Sequence, residues 1–382
     1  MRLPGMKILQ VLPELDQGGV ERGTVEIAAA LAAAGIPSAV ASAGGRLVKE
    51  LQAMGVEHFT LPLASKNPFV IFSNARKLAR IVKDGGFTLM HVRSRAPAWS
   101  VRKASRISGV PFVSTWHGLY GTDPRFLKIP YNRVMLSGRG TIAVSDCVRK
   151  HVLETYGADP KRVTTIHRGA DVERFNPSSV SSDVVAERKA ELGIDPQVPV
   201  ISLPGRLTSL QGQHIRLEAA SMMKVRPFAL LLVGSDQGRV EYSSRLKAMA
   251  AELQGIKTVF LDHSSEMPLI YAMSDVVVSA SYSHPEAFGR VITEAQAMGR
   301  IVVASAHGGA CETVADGETG FLVPPGDPAA LAAALDRVLG LSPEEKARIA
   351  ASAVKSVVEN FSIAKMCSKT IEYYKEIHDE RR

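Results

Sequence analysis

VVVSASYSHPEAFGRVITEAQAMGRIVVA, residues 276–304, is the stretch from which the fold is read. Its first three residues are valines, which with Ser279 make a run of strand length, and Ile301–Ala304 is another, wholly apolar. Between them, 289–298 has helical spacing and opens at Gly289. A strand, a loop, a helix and a second strand within thirty residues imply a parallel pair joined by a crossover. The loop holds Pro285, Glu286, Ala287 and Phe288, and the helix holds Glu294 on its second turn. Eight residues apart, with the first in a loop, these carboxylates do not share a helix face. Glu286 is placed to meet a ligand at the loop, and Glu294 sits about a turn and a half along. Carboxylates accept well from sugar and ribose hydroxyls, and the N–H groups near Phe288 and Gly289 can face a phosphate.

The same rhythm runs outward in both directions. Strands are expected at 7–12, 38–43, 57–61, 88–92, 111–115, 141–144 and 163–166, with helices near 19–34, 46–54, 68–84, 96–108, 127–137 and 145–156. A stretch richer in Ser, Asp and Pro, 168–199, reads as a linker with a short helix near 183–192. The rhythm then restarts, with strands at 199–204, 228–233, 257–261, 276–279, 301–304 and 320–323 and helices near 211–224, 241–253, 266–273, 289–298, 309–315 and 327–339. The tail, 342–382, is helical in pattern. The expectation is an α/β chain of two Rossmann-like, doubly wound domains, 1–170 and 171–359, with a last helix, 360–382, packing back on the first. Ligands of such sheets bind outside the carboxyl ends of the strands, and with two domains the expected place is the cleft between them.

Composition narrows the class. Of 382 residues, 46% are apolar and 22% charged, which excludes disorder as the main state. Cys147, Cys311 and Cys367 are far apart and in no CxxC spacing, so a disulfide framework or zinc site is not expected and a reducing compartment is. The first residues lack a signal-peptide core, and no window approaches about 18 apolar residues, so the expected location is cytoplasmic. Residues 1–175 hold 25 Lys and Arg against 13 Asp and Glu, a balance of +12, while the remainder sums to −4. A basic first half suits an anionic membrane face, an acidic substrate or nucleic acid. Nucleic acid is disfavoured, because the cations are not interleaved with aromatics.

Two further motifs carry chemistry. Gly18-Gly19 follows the first strand and opens a helix, where bare backbone can approach an anion. It is not GxGxxG, and no acidic residue ends the second strand, so a nicotinamide site is disfavoured. A tight turn without ligand remains open for it. Gly205-Arg206-Leu207 follows strand 199–204, with Gln211-Gly212 at the next helix. An arginine there is well placed for a diphosphate.

Together these segments resemble the GT-B glycosyltransferases of family 4, the retaining, bacterial group 1 type. The resemblance covers nearly the whole chain. It rests on Gly18-Gly19, on GRLTSLQG at 205–212 and on EAFGRVITE at 286–294, supported by WHG at 116–118, AVS at 143–145 and HRGAD at 167–171. It implies that Arg206 grips the donor diphosphate, that Glu294 holds the ribose, and that Glu286 contacts the transferred sugar. Phe288 and Gly289 would supply N–H groups beside Ala287, and Gly18 and Gly19 would approach the phosphates or acceptor. The base would lie near Asp262 and His263. His117 matches the histidine near the anomeric carbon, with catalysis assigned to His117, Glu286 and Arg206. Arg93, Arg95, Ser145 and Arg168 fall on the acceptor side. No metal or other cofactor is implied, since no Asp-x-Asp motif is present. The partners implied are a nucleotide sugar and a glycan or lipid-linked envelope acceptor, such as lipopolysaccharide. Arg93, Arg95, Arg102, Lys103 and Arg106 would form a basic cluster facing the inner membrane.

One residue departs from the family. Gln211 stands where it normally has lysine. A neutral hydrogen bond contributes about 0.5–1.5 kcal/mol against about 1.5–3 for a charged one, a deficit that slows turnover about tenfold or more. Arg168 is a candidate to supply the missing charge. The alternative is a degenerate relative that binds a sugar nucleotide with little turnover. An epimerase or phosphorylase of the same fold is a weaker fit to the glutamate motif.

Overall fold

The computed structural model describes residues 5–379 other than 17 and 263. The chain divides into two compact units, one running to Arg168 and resuming at Ala364, the other Gly169–Ile363.

The first unit is built on β1 (Ile8–Val11), β2 (Ser38–Ser42), β3 (Glu57–Thr60), β4 (Leu89–Val92), β5 (Phe112–Trp116), β6 (Gly140–Ala143) and β7 (Val163–Thr165). They form one parallel sheet in the order β3-β2-β1-β4-β5-β6-β7. The second unit holds β8 (Val200–Pro204), β9 (Phe228–Val233), β10 (Ile256–Leu261), β11 (Val276–Ser279), β12 (Ile301–Ser305) and β13 (Phe321–Val323), again all parallel, in the order β10-β9-β8-β11-β12-β13. Two parallel sheets flanked by helices make two Rossmann-like domains of the GT-B kind. Parallel strands are covered on both faces, and that is why they read as continuous apolar runs rather than alternating ones. All six residues of FALLLV in β9 are buried.

Every expected strand is present, with ends within one residue of the reading. The helices depart in two places. The span read as 127–137 is an α-helix, Arg125–Arg133, followed by a 3-10 turn, Val134–Ser137; Pro130 lies inside the helix and withdraws one backbone donor. The span read as 211–224 is a 3-10 turn, Ser209–Gln211, then a helix, Gln213–Met222. Gly212 separates them at φ +69, a left-handed conformation that stops one helix from running into the other.

The chain's last helix, Ile363–Asp379, buries Met366, Cys367, Tyr373, Tyr374 and Ile377. One side-chain hydrogen bond pins it to the first sheet, at a histidine that a second bond within the sheet holds in place. His91 Nδ1 pairs with the Tyr374 hydroxyl, and His91 Nε2 with Thr115 Oγ1 at 2.7 Å. Burial, with the Arg93 charge behind it, holds the His91 imidazole well below its ordinary pKa, so the ring is neutral. Burial likewise pushes the Cys367 thiol up to about 12.

A neutral buried histidine has a signed consequence. Below about pH 6.5 the unfolded chain takes up a proton that the folded one refuses, so stability falls as pH drops, by up to about 1.4 kcal/mol per pH unit. Urea unfolding at pH 7 and pH 5.5 should therefore show a larger loss in the wild type than in His91→Gln. Parallel losses would remove His91 as a source of acid sensitivity.

Candidate active site

In the second sheet the strand order reverses between β8 and β11, and the loops leaving their carboxyl ends are 205–212 and 280–289. Such a reversal opens a crevice above the sheet, because the two loops turn away to opposite sides. Both glycine- and glutamate-bearing motifs leave from it.

The two loops are joined by one bond. Gln211 Nε2 donates to Glu286 Oε1 at 2.7 Å. Arg206, next after Gly205, is exposed and its guanidinium has no hydrogen-bond partner among the described residues, while its carbonyl accepts from Gln213 Nε2 at 2.7 Å. The 285–288 turn rests on a glycine pair: Gly309 N donates to the Glu286 carbonyl at 2.8 Å. A Cβ on Gly309 would lie 2.5 Å from Phe288 Cα. Phe288 is buried and packs edge-on against Phe361, which anchors the loop from below. Gly289 caps the helix Arg290–Ala297 at φ +85. Ala287 is half-buried between Glu286 and Phe288.

Glu294 lies deeper. Its Oε2 accepts from the Tyr271 hydroxyl at 3.1 Å, and its Oε1 lies 3.3 Å from Arg290 Nε. Burial raises the Glu294 carboxyl, opposed by the Arg290 charge and the Tyr271 bond. Burial and the facing carboxylate push Tyr271 well above the usual phenol range, so it stays a donor. The result is an acceptor oxygen pair fixed in direction from two sides. Asp262, exposed, follows β10; His263 lies outside the described residues.

In the first unit the reversal falls between β1 and β4. Gly18 precedes the helix Gly19–Ala33 at φ +136, and Glu21 folds back toward it. The Gly19 carbonyl accepts from Arg168 Nη2. His117 follows β5, and its Nε2 is buried without a partner among the described residues. Burial, reinforced by Arg93, Arg168 and His91, lowers its pKa well below the ordinary value. It is therefore a neutral ring.

Residues 184–356 match the family described as glycosyl transferases group 1, and residues 17–174 match Glycosyltransferase Family 4. A D-inositol 3-phosphate glycosyltransferase of Nocardia farcinica is 31% identical over 361 residues, covering 87% of this chain and 76% of that one. Its counterpart in Frankia alni is 30% identical over 362 residues, covering 81% and 87%. A solved glycosyltransferase from Rickettsia africae superposes with a TM-score of 0.90 at 38% identity, covering 98% and 99%. The chain is a family 4, group 1 glycosyltransferase. Anabaena HepE, solved in complex with UDP, shares the transferase's fold at a TM-score of 0.83 and 23% identity, covering 97% and 100%.

The structure corrects the basic cluster. Arg93 is buried and donates to Gln10 Oε1 at 2.9 Å, linking neighbouring strands β4 and β1, so it faces no membrane. Lys103 and Arg106 are exposed; Arg95 lies half-buried over the Tyr120 ring at 4.0 Å. Ser145 has a local job, capping the helix Asp146–Tyr156 by accepting from Val148 N. Arg168 is buried against the Gly19 turn and Gly23.

Sequence reasoning missed three residues of the transferase. Arg290 lies four residues before Glu294, a spacing that makes helical ion pairs and could have flagged it. Tyr271 and Arg216 carried no sequence signal, since both meet the site through tertiary packing.

The glycine pair gives a sharp test. Gly309 has an ordinary φ of −64, so alanine there costs no backbone strain and acts only by pushing on Phe288. In Gly309→Ala we expect turnover to fall about tenfold or more, since a displacement near an ångström disrupts positioning. An unchanged kcat would show that the 285–288 turn is not held by this contact.

Proposed function

We propose that the transferase moves a hexosyl group, with retention of anomeric configuration, from a uridine-diphosphate sugar to a hydroxyl of an envelope glycan or lipid-linked acceptor. The observation that carries this is the pairing of Gln211 with Glu286 beside an unengaged Arg206, across the strand reversal of the second sheet. It leaves one cation free for a diphosphate and one carboxylate oriented for sugar hydroxyls. Solved HepE carries UDP and UDP-glucose, which favours uridine among the donors.

The step balances without a protein nucleophile or metal. The bond from the anomeric carbon to the diphosphate oxygen breaks, with its electron pair passing to the phosphate. The acceptor oxygen bonds to the same face, and its proton passes to that phosphate oxygen. Arg206 stabilises the leaving charge, and the rest is positioning. Activity should survive a chelator.

For the acceptor, the reading draws on the first unit. Its helices Pro68–Asp84 and Arg125–Arg133 leave Phe69 and Phe126 85% and 76% exposed. Leu127 is exposed beside Phe126, and Arg76 and Lys103 flank Phe72. Exposed aromatics among cations suit an anionic lipid surface. No helix among the described residues is long and apolar enough to cross a membrane. The curated relatives are named for inositol 3-phosphate, so that acceptor is tested beside a lipid-linked one. The neutral side chain of Gln211 is what motivates the second reading, a binder with little turnover.

Thermal unfolding with UDP, GDP and ADP should show a shift of several degrees with UDP alone, since a ligand at 100 times its Kd stabilises by about 2.7 kcal/mol. With UDP-glucose and each acceptor, Arg206→Ala should lower kcat by about 10²–10³ without moving the unliganded midpoint. NMR of the product should give the donor's anomer. A UDP shift with no product from either acceptor would turn the conclusion to the binder; inversion would remove the same-face step. Sedimentation with anionic vesicles should retain the wild type and lose the Phe69→Ser/Phe126→Ser variant. Equal retention would exclude this surface from docking.

A further inference from the structure

The helix Gln213–Met222 starts just past Gln211, across Gly212, and carries Arg216 about one turn in, five residues along the chain from Gln211. Arg216 is 2% exposed, and none of its three guanidinium nitrogens has a hydrogen-bond partner among the described residues. A buried arginine in that state is expensive, because a cation has left water for little in return. Such residues persist where the charge is used.

The offsetting attractions that reach Arg216 come from Tyr242 and Glu286. Burial lowers its pKa to about 10, which still leaves it charged at neutral pH. The surroundings hold it in place. The Tyr242 hydroxyl donates to Gln213 Oε1 at 3.3 Å, and Gln213 Nε2 donates to the Arg206 carbonyl at 2.7 Å. Gly212 lies so close to the Ala280 carbonyl that a side chain there would collide with it, which seats the helix start against the loop leading to Glu286. Arg216 therefore lies on the first turns of a helix whose start is seated against both loops that meet at the Gln211–Glu286 bond.

We propose that Arg216 is a positioning residue of the donor site, supplying, through Glu286 and the 205–212 loop, the positive charge that Gln211 lacks. A charge in a dry interior is weakly screened and reaches an anion that it does not touch. It attracts the Glu286 carboxylate and favours a diphosphate arriving at the two loops. The inference rests on the proposed transfer from a sugar nucleotide. It also moves the compensating cation from Arg168, which is engaged at Gly19 in the first unit, to the helix of the second.

The test is a charge-swap cycle, read as kcat and KM for UDP-glucose, with unfolding midpoints of the unliganded proteins. Arg216→Met should cut kcat about tenfold or more, about 1.4 kcal/mol in the transition state, without lowering the midpoint. Arg216→Lys should keep most of the activity. Adding Gln211→Lys to Arg216→Met should restore kcat to within about threefold of wild type, as expected of two coupled sites. A merely structural role predicts a lowered midpoint and no rescue by a lysine five residues away. Unchanged kinetics in Arg216→Met, or no recovery in a folded double variant, overturns the proposal. Should Arg216→Met not fold, Gln211→Lys alone decides. With the charge already present its gain should stay below about threefold, and a gain of about tenfold or more overturns the proposal. A wild type that binds no nucleoside diphosphate would overturn the proposed function itself, and this inference with it. Normal wild-type turnover with an indifferent Arg216 would overturn only the inference.

Discussion

A parallel sheet whose strand order reverses cannot close its own top edge. At the reversal two neighbouring strands send their loops to opposite faces, and the space between them is left for something other than the chain. In the second unit those strands are β8 and β11, and their loops carry Arg206 on one and Glu286 on the other, the residues proposed to meet a sugar nucleotide. A few contacts hold these two loops against each other and the core. The 2.7 Å bond from Gln211 to Glu286 spans them, Phe288 roots one of them in the core, and the Gly308-Gly309 turn props it from the side.

The fold was legible because burial on both faces forces apolar, β-branched strands, which the eye finds without knowing their neighbours. The helix ends were less so. Pro130 and Gly212 act locally, and both were visible as residues, but whether a helix survives them depends on the packing of the turn they sit in. The site was legible where chemistry is local in sequence, as in Glu286 through Glu294. It was illegible where two distant segments meet. Tyr271 reaches Glu294 across 23 residues, and the Gln211–Glu286 bond spans 75. Arg93 shows the opposite failure. It stood among surface cations in sequence yet faces inward, because it follows a central strand beside Gln10.

The two glutamates are held in different ways, and the difference suits different tasks. Glu294 is restrained from two sides, by Tyr271 and by Arg290, in a buried setting that raises its carboxyl. A group so fixed discriminates geometry, because a misplaced donor cannot be followed by the acceptor. The Glu286 carboxylate has one hydrogen-bond partner among the described residues, Gln211, and its loop leaves the strand reversal. It can keep that bond and still offer its second oxygen. Rigid recognition below and a half-committed carboxylate above is an arrangement that binds a constant portion of a ligand and positions a reacting one.

Replacing lysine by glutamine at 211 changes what the site asks of its surroundings. A lysine there would face Glu286 as a charged pair and would satisfy the carboxylate from the surface. Gln211 donates a neutral bond and leaves the carboxylate's charge uncancelled at short range. A diphosphate arriving there meets one positive charge fewer than a lysine would give it, unless a cation stands elsewhere within reach. The first unit's Arg168 is already spent on the Gly19 carbonyl, and Arg290 on Glu294. Arg206 is exposed on the loop itself, the one charge the site has with or without a lysine at 211. The second charge therefore falls to the buried Arg216 on the helix that follows, whose own cost of burial is otherwise without return. The neutral residue on the loop and the unpartnered charge on the helix are each unfavourable alone, and each supplies what the other lacks.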